Sequence, residues 1–333
     1  MRISIVGAGA FGTAMAAVAA RQNNEVLLWA HEPRIAESIE ATRANPSYLP
    51  NVLLPANVRA TGSIEEAARF ADTIFMIVPS QYFRGVLESL RPHLTGRVTV
   101  ISGTKGIEND TLMRMSEITA AVLGEALSAY AVLSGPTFAA ETGRGEPTAA
   151  VIASRDLESA QQLQQMLSSQ TFRLYHSSDV IGVELAGALK NVIAIAAGVL
   201  EGLGLGYNTT AALITRGLHE ITRLGVTLGG TLETFAGLAG MGDLVLTCTG
   251  SLSRNRSLGV ALGKGKTLAE FLAETRAVAE GVKTSKAARD LAERHHVEMP
   301  ITTEMVRVLY EDESPTVALQ RLMTRALKAE TLR

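Results

Sequence analysis

One cysteine, Cys248, stands in 333 residues. No internal disulfide can staple such a chain, and a lone thiol suits a reducing compartment. Neither sign of charge prevails, since 31 basic and 33 acidic residues leave a formal charge of −2. That balance, with no interleaving of aromatic and basic residues, argues against nucleic acid or any generic polyanion as partner. A phosphate would have to be held by a few local groups. Aromatic residues make up only 5%, so Ala, Gly, Leu and Val carry the interior and its elements can pack closely. No uncharged apolar run approaches the roughly 18 residues that span a bilayer; the longest, Val192–Leu200, ends at Glu201. Met1–Val6 runs straight into a glycine turn, without the charged leader and cleavage site of a signal peptide. A cytoplasmic protein with no membrane partner is expected. The histidines (His31, His93, His176, His219, His295 and His296) fall into no ligand or nucleophile–base pattern, and no metal is expected.

What is present is apolar patterning, with 47% hydrophobic residues in a chain long enough for two domains. β-branched apolar runs predict strands at Ile3–Val6, Val26–Trp29, Thr73–Val78, Val98–Ser102, Tyr130–Leu133, Ala149–Ala153 and Phe172–Tyr175. Amphipathic stretches at Ala14–Arg21, Ile64–Phe70, Tyr82–Leu90 and Leu157–Leu167 lie between several of them. Ser63 with Glu66 is a capping-box signature. Strand–helix alternation with strands apolar throughout predicts a mainly parallel sheet covered on both faces. Beyond Asp179 the strand signals stop. Val180–Leu203 reads as one long helix, followed by Thr209–Leu224, Leu232–Leu238, Leu268–Thr275, Thr284–His295, Thr302–Tyr310 and Pro315–Leu327. The expectation is an α/β doubly wound domain over residues 1–179 and an all-helical domain over 180–333.

Gly7-Ala8-Gly9-Ala10-Phe11-Gly12 follows the first strand directly and opens a helix, with a second strand beyond. This is the context the G-x-G-x-x-G dinucleotide fingerprint requires. Gly7 makes the turn, Gly9 admits the pyrophosphate and Gly12 lets helix and strand pack. An ordinary glycine-rich turn is the plainer reading. Near the end of the second strand Glu32 occupies the place of a ribose-binding acid, but His31 precedes it and Arg34 follows. An imidazole and a guanidinium could take a 2′-phosphate, so the expected cofactor is NADP or NAD with the charge favouring NADP or dual use, against a solvated loop that happens to carry these residues.

Lys105, after Val98–Ser102, and Gly135-Pro136-Thr137-Phe138-Ala139, after Tyr130–Leu133, lie at carboxyl ends of strands, where doubly wound sheets bind ligands. Lys190 interrupts an apolar helical stretch with Val183, Gly187 and Ala194 on its face. Desolvation there should lower its pKa toward neutrality and suit it to proton transfer; snorkelling to the surface is the alternative. Gly240-Met241-Gly242-Asp243 leads to Ser253-Arg254-Asn255. The guanidinium of Arg254 and the neutral donors beside it suit a phosphate, unless this is simply a polar turn capping a helix.

Taken in order, these motifs resemble the bacterial NAD(P)-dependent glycerol-3-phosphate dehydrogenase family over essentially the whole chain. The resemblance is carried by Gly7–Gly12 with Thr13-Ala14, Val78-Pro79-Ser80, Thr104-Lys105-Gly106, Ser134–Ala139, Leu189–Ala194, Ala212–Gly217, Gly240–Leu244, Ser253-Arg254-Asn255 and Ala279-Glu280-Gly281. It implies a Rossmann domain followed by a helical domain like that of 6-phosphogluconate dehydrogenase. It also implies reversible reduction of dihydroxyacetone phosphate to sn-glycerol 3-phosphate for glycerophospholipid synthesis. Ala10, Phe11, His31, Tyr48, Lys105, Ala139, Arg254, Val278 and Glu280 then stand as cofactor contacts, with Gly7, Gly9 and Gly12 of the turn. Lys105, Gly135, Thr137, Lys190, Asp243, Ser253, Arg254 and Asn255 stand as substrate contacts, and Lys190 as the catalytic proton carrier. Phe11 replaces the more frequent Trp or Tyr, and Ala10 a frequent Ser, which removes hydrogen-bonding groups near the cofactor. A homodimer is compatible with the helical second domain. Two other readings stay open: a hydroxyacid or phosphogluconate-type dehydrogenase, which would need a cationic site for a carboxylate, and a nucleotide sensor without catalysis.

Overall fold

A computed structural model describes residues 1–274, 279–327 and 329–330. The chain divides into two compact units. Met1–Thr104 and Met113–Val180 form the first, and Lys105–Leu112 with Ile181–Arg333 the second.

The first unit is built on eight strands: β1 (Arg2–Val6), β2 (Glu25–Trp29), β3 (Val58–Thr61), β4 (Thr73–Met76), β5 (Val98–Ser102), β6 (Leu127–Ser134), β7 (Thr148–Ala153) and β8 (Phe172–Ser177). Their order is β3-β2-β1-β4-β5-β6-β7-β8. All neighbours are parallel except β6 with β7. The connecting helices are α1 (Ala10–Ala20), α2 (Pro33–Thr42), α3 (Ile64–Phe70), α4 (Phe83–Leu90), α5 (Met115–Leu123), α6 (Ala139–Arg144) and α7 (Leu157–Leu167).

Successive strand residues enter opposite cores. Ile3, Ile5, Val26, Leu28, Phe75 and Ile101 pack on one face of the sheet, and Val6, Trp29, Ile74, Met76, Val98 and Val100 on the other. This is why the strands read as apolar runs. The strand order reverses between β1 and β4, the point at which a doubly wound sheet opens a crevice beyond its carboxyl ends.

The second unit is helical: α8 (Val180–Gly202), α9 (Tyr207–Thr227), α10 (Leu232–Ala236), α11 (Asp243–Thr249), α12 (Arg254–Gly263), α13 (Leu268–Glu274), α14 (Glu280–Arg294), α15 (Pro300–Tyr310) and α16 (Pro315–Met323). By length and composition α8 could cross a bilayer, but 94% of its most apolar window is buried inside the protein. It is the core helix of this unit, lined by Leu185, Leu189, Val192 and Ile193. Helix α12 meets it through glycines. A Cβ on Gly198 would lie 2.0 Å from the carbonyl oxygen of Arg256, and one on Gly259 2.0 Å from that of Ile195. The two backbones touch with no side chain between them.

The fold class matches the expectation, and several details correct it. Strand β3 and helices α2, α5, α6 and α11 were not foreseen. The four residues of β3 form an edge strand, too short to carry a clear period of two. Helix α1 starts at Ala10 rather than Ala14, directly on the glycine turn. The stretch Leu232–Leu238 ends its α-helix at Ala236 and continues as a π-helical turn over Leu238–Gly242. Helix α16 stops at Met323. Helix α13 is described to Glu274, so Thr275 lies outside the described residues.

Candidate active site and dinucleotide site

In the second unit the π turn runs directly into α11 and places Asp243 at the junction of the two. Asp243 is 1% exposed, and Lys190, in the middle of α8, is 6% exposed. The ammonium of Lys190 donates to Oδ1 of Asp243, and to Oγ1 of Thr247 at 2.6 Å. Lys105 reaches the same carboxylate from the loop 105–112 and donates to Oδ2 at 2.5 Å. Thr247, one turn along α11, gives its own proton to the backbone oxygen of Asp243 at 2.6 Å. Its oxygen therefore faces Lys190 as an acceptor and fixes Lys190 as the donor. Sequence reasoning missed Thr247. The signal was its i+4 spacing from Asp243 on one helix face.

The charges tune one another. Burial lowers the Lys190 pKa to about 8, against the upward pull of Asp243. Burial alone would raise the Asp243 carboxyl, but the ammonium groups of Lys105 and Lys190 hold it below the usual carboxylate range. Burial pushes Glu280, the first residue of α14, up to about 7 despite Lys105, Lys190 and Arg254. Cys248, buried in α11, is pushed up to about 12 by burial, so its thiol is not a nucleophile at neutral pH.

Helix α12 begins at Arg254, with Ser253 as its N-cap accepting the Arg256 N–H at 3.2 Å. Arg254 is exposed and makes no ion pair among the described residues. A free guanidinium at a helix N-terminus is a place for an anion. Asn255 has a different surrounding. It is buried, donates to Oδ1 of Asn191 at 3.0 Å and accepts the Gly281 N–H at 3.0 Å. It ties the helix of Lys190 and the start of α14 to that of Arg254. The second unit thus holds Lys105, Lys190, Asp243, Ser253, Arg254, Asn255 and Glu280, whereas Val278 lies outside the described residues.

The first unit holds the remaining candidates. Gly7 has φ +121°, and a Cβ there would lie 2.2 Å from the Ile77 oxygen; one on Gly12 would lie 1.8 Å from the Gly7 oxygen. Only glycine fits either place. Gly9 is the N-cap of α1, and a Cβ there meets nothing within 4 Å. The space before the helix is open, no side chain caps its first N–H groups, and no acidic residue occupies its first turn. These residues fit the pyrophosphate of a dinucleotide. Buried Asn45 holds the turn, donating to the Ala8 oxygen and to Oγ1 of Thr13, both at 2.8 Å. Ala10 and Phe11 open α1, and the Phe11 ring lies against Gly103. His31 follows β2, exposed, its ring edge-on to Trp29. Tyr48 donates to Oε1 of Glu32 at 3.4 Å. After β6, Gly135 takes φ +147°, Thr137 donates to the Gly135 oxygen at 3.1 Å, and Ala139 opens α6.

The profile described as NAD-dependent glycerol-3-phosphate dehydrogenase N-terminus matches residues 2–160, and that described as the C-terminus matches residues 179–320. The chain belongs to the NAD-dependent glycerol-3-phosphate dehydrogenase family. It is 53% identical to a glycerol-3-phosphate dehydrogenase of the NAD(P)+ type from Geobacter sulfurreducens, covering 99% of this chain and 98% of that protein. A second, from Geobacter metallireducens, is 52% identical over the same shares. The crystal structure of glycerol-3-phosphate dehydrogenase from Coxiella burnetii superposes with a TM-score of 0.93 at 40% identity, covering 97% of this chain and 99% of that one. Members of this family are oxidoreductases that act on a CH–OH group with a nicotinamide dinucleotide.

Proposed function

We propose that this chain reduces dihydroxyacetone phosphate reversibly to sn-glycerol 3-phosphate in the cytoplasm, with Lys190 as proton donor and Arg254 as phosphate anchor. Residues 1–179 bind the dinucleotide and 180–333 the substrate, with Lys105 added from its loop. The observation that carries the reading is a buried amine held by one carboxylate and one hydroxyl, in the same unit as an unpaired guanidinium on a helix N-terminus.

A dinucleotide held at the glycine turn would supply the hydride for the carbonyl carbon. Two protons of the Lys190 ammonium are engaged by Asp243 and Thr247, and the third is given to the carbonyl oxygen as the alkoxide forms. In oxidation the neutral amine takes that proton back. Lys105 donates to Asp243, so the carboxylate stays ionised beside Lys190 and steadies it. Arg254, with Ser253 and the N–H groups opening α12, takes the phosphate. Gly135 and Thr137 provide backbone and hydroxyl contacts to substrate, and Phe11, His31, Tyr48 and Ala139 flank the dinucleotide.

The decisive measurement is loss of reduced-nicotinamide absorbance on adding dihydroxyacetone phosphate, with a keto acid of similar size in parallel. Turnover of the phosphate ester alone supports the assignment. Turnover of the keto acid alone would overturn it.

A further inference from the structure

A cavity of about 410 Å³ lies inside the helical unit, walled by α8, α9, α15 and α16, and neither Lys190 nor Asp243 lines it. Its walls are aliphatic. Ala196 and Leu200 come from α8, Leu213 from α9, Met305 from α15, and Leu319 and Leu322 from α16. Small-ligand sites have this size and this character, apolar with a few polar groups that set orientation.

Arg223 of α9 lines the same space, and its Nε is buried without a hydrogen-bond partner among the described residues. Native proteins seldom leave a buried donor unanswered. The other charges on the walls are matched. Arg216 pairs with Glu330 at 3.5 Å, Arg325 with Glu298 at 3.2 Å, and Glu304 with Arg321 at 2.7 Å. Glu220 lies one turn from Arg223, but its oxygens accept the Ile301 and Thr302 N–H groups at 2.6 and 3.2 Å. Among the described residues this leaves one cationic donor turned to an aliphatic chamber.

We propose that this cavity binds an aliphatic monocarboxylate, its head on Arg223 and its chain against α8, α15 and α16. The guanidinium fork matches a carboxylate, and the walls take an unbranched chain out of water. A head with two negative charges is disfavoured, because Glu220, Glu298 and Glu304 also line the space. Helix α16 gives a way in. Only Ala318 of this helix is buried, and the ion pairs from Arg321 to Glu304 and Glu313 place their arginine in solvent. Such pairs hold weakly, so the helix can lift. None of these residues is assigned to the hydride transfer, and the site stands whether or not that assignment does.

The test is calorimetric titration of the full chain with sodium decanoate below its micellar concentration, with 1-decanol and decyl phosphate in parallel. Decanoate should bind at one per chain, and decanol at least tenfold more weakly, the range of a lost charge-assisted hydrogen bond. Arg223→Met keeps an aliphatic side chain and should weaken decanoate at least tenfold while changing decanol less than threefold. Ala212 is exposed on α9 and lines the cavity. Ala212→Phe should therefore weaken both ligands at least tenfold, with circular dichroism to verify that each variant folds. Wild type that binds no decanoate, or binds decanol equally well, overturns the proposal. So does tighter binding of decyl phosphate than of decanoate, or undiminished affinity in either folded variant.

Discussion

The ammonium of Lys190 donates to Oδ1 of Asp243, and the two residues are 6% and 1% exposed. Burial takes Lys190 down to about 8 while Asp243 pulls it up. The proton on this amine therefore titrates within the working range of an enzyme. Reduction needs the ammonium, so its rate should hold below pH of about 8 and fall above it. Oxidation needs the amine and should rise through the same point. Asp243→Asn removes the upward pull and should move both midpoints to lower pH. Profiles of kcat in the two directions check this, and an unmoved midpoint would show that Asp243 does not set the proton affinity of Lys190.

Lys190→Met keeps most of the buried volume and removes the proton. Loss of a general acid costs about 10²–10⁴ in rate, and kcat should fall by that much. Asp243 keeps Lys105 as a partner, so the variant should still fold. Binding of reduced dinucleotide, followed through Trp29, should be retained. Turnover near that of wild type would remove Lys190 from the chemistry.

Arg254 stands apart from the proton-transfer groups, at the start of another helix. Arg254→Leu should raise KM for dihydroxyacetone phosphate by about 10- to 100-fold, the range of a lost charge-assisted hydrogen bond, with a smaller change in kcat. Steady-state kinetics against the unphosphorylated ketone, dihydroxyacetone, gives the control. The variant should narrow the gap between the two substrates, and an undiminished gap contradicts the anchor.

Glu220 concerns stability. Buried in α9, it accepts the Ile301 and Thr302 N–H groups at 2.6 and 3.2 Å, capping α15 from another helix. Burial raises its carboxyl to about 7. The folded protein holds this proton more tightly than the unfolded chain, where Glu titrates near 4.5. Its stabilising contribution is complete below about 4.5 and is lost as pH rises through about 7. The loss is on the order of 3 kcal/mol. Glu220→Gln should flatten the dependence, gaining on wild type at pH 8 relative to pH 5 in urea unfolding. Parallel pH dependences in the two proteins would refute this.

Much of this was legible in the sequence because it is periodic or local. The strand–helix alternation, the glycine turn and the helical second half follow from apolar spacing. Ile64–Phe70 and Leu157–Leu167 come out with their observed ends, each helix preceded by a side-chain cap at Ser63 or Asp156. Lys190 stood out because a charge interrupted an apolar stripe. Strand β3 was hidden since it is short, at an edge, and carries Arg59 outward. The sharing of Asp243 between two lysines was beyond reach, because it joins residues far apart in the chain through a π turn that no local pattern announces. Asn255 was read as a phosphate donor beside Arg254, and the bonds of its amide to Asn191 and Gly281 were not foreseen, being set only by tertiary packing.

If Lys190 and Arg254 act as proposed, the glycine contact between α8 and α12 would bear on substrate choice in one direction only. Where main chain already abuts main chain at Gly198 and Gly259, nothing remains to trim, and any exchange can only wedge the rods apart. The spacing of the two backbones that carry Lys190 and Arg254 is thus a minimum fixed by bare peptide. Redesign can lengthen that reach toward bulkier phosphate esters, but it has no route to a shorter one.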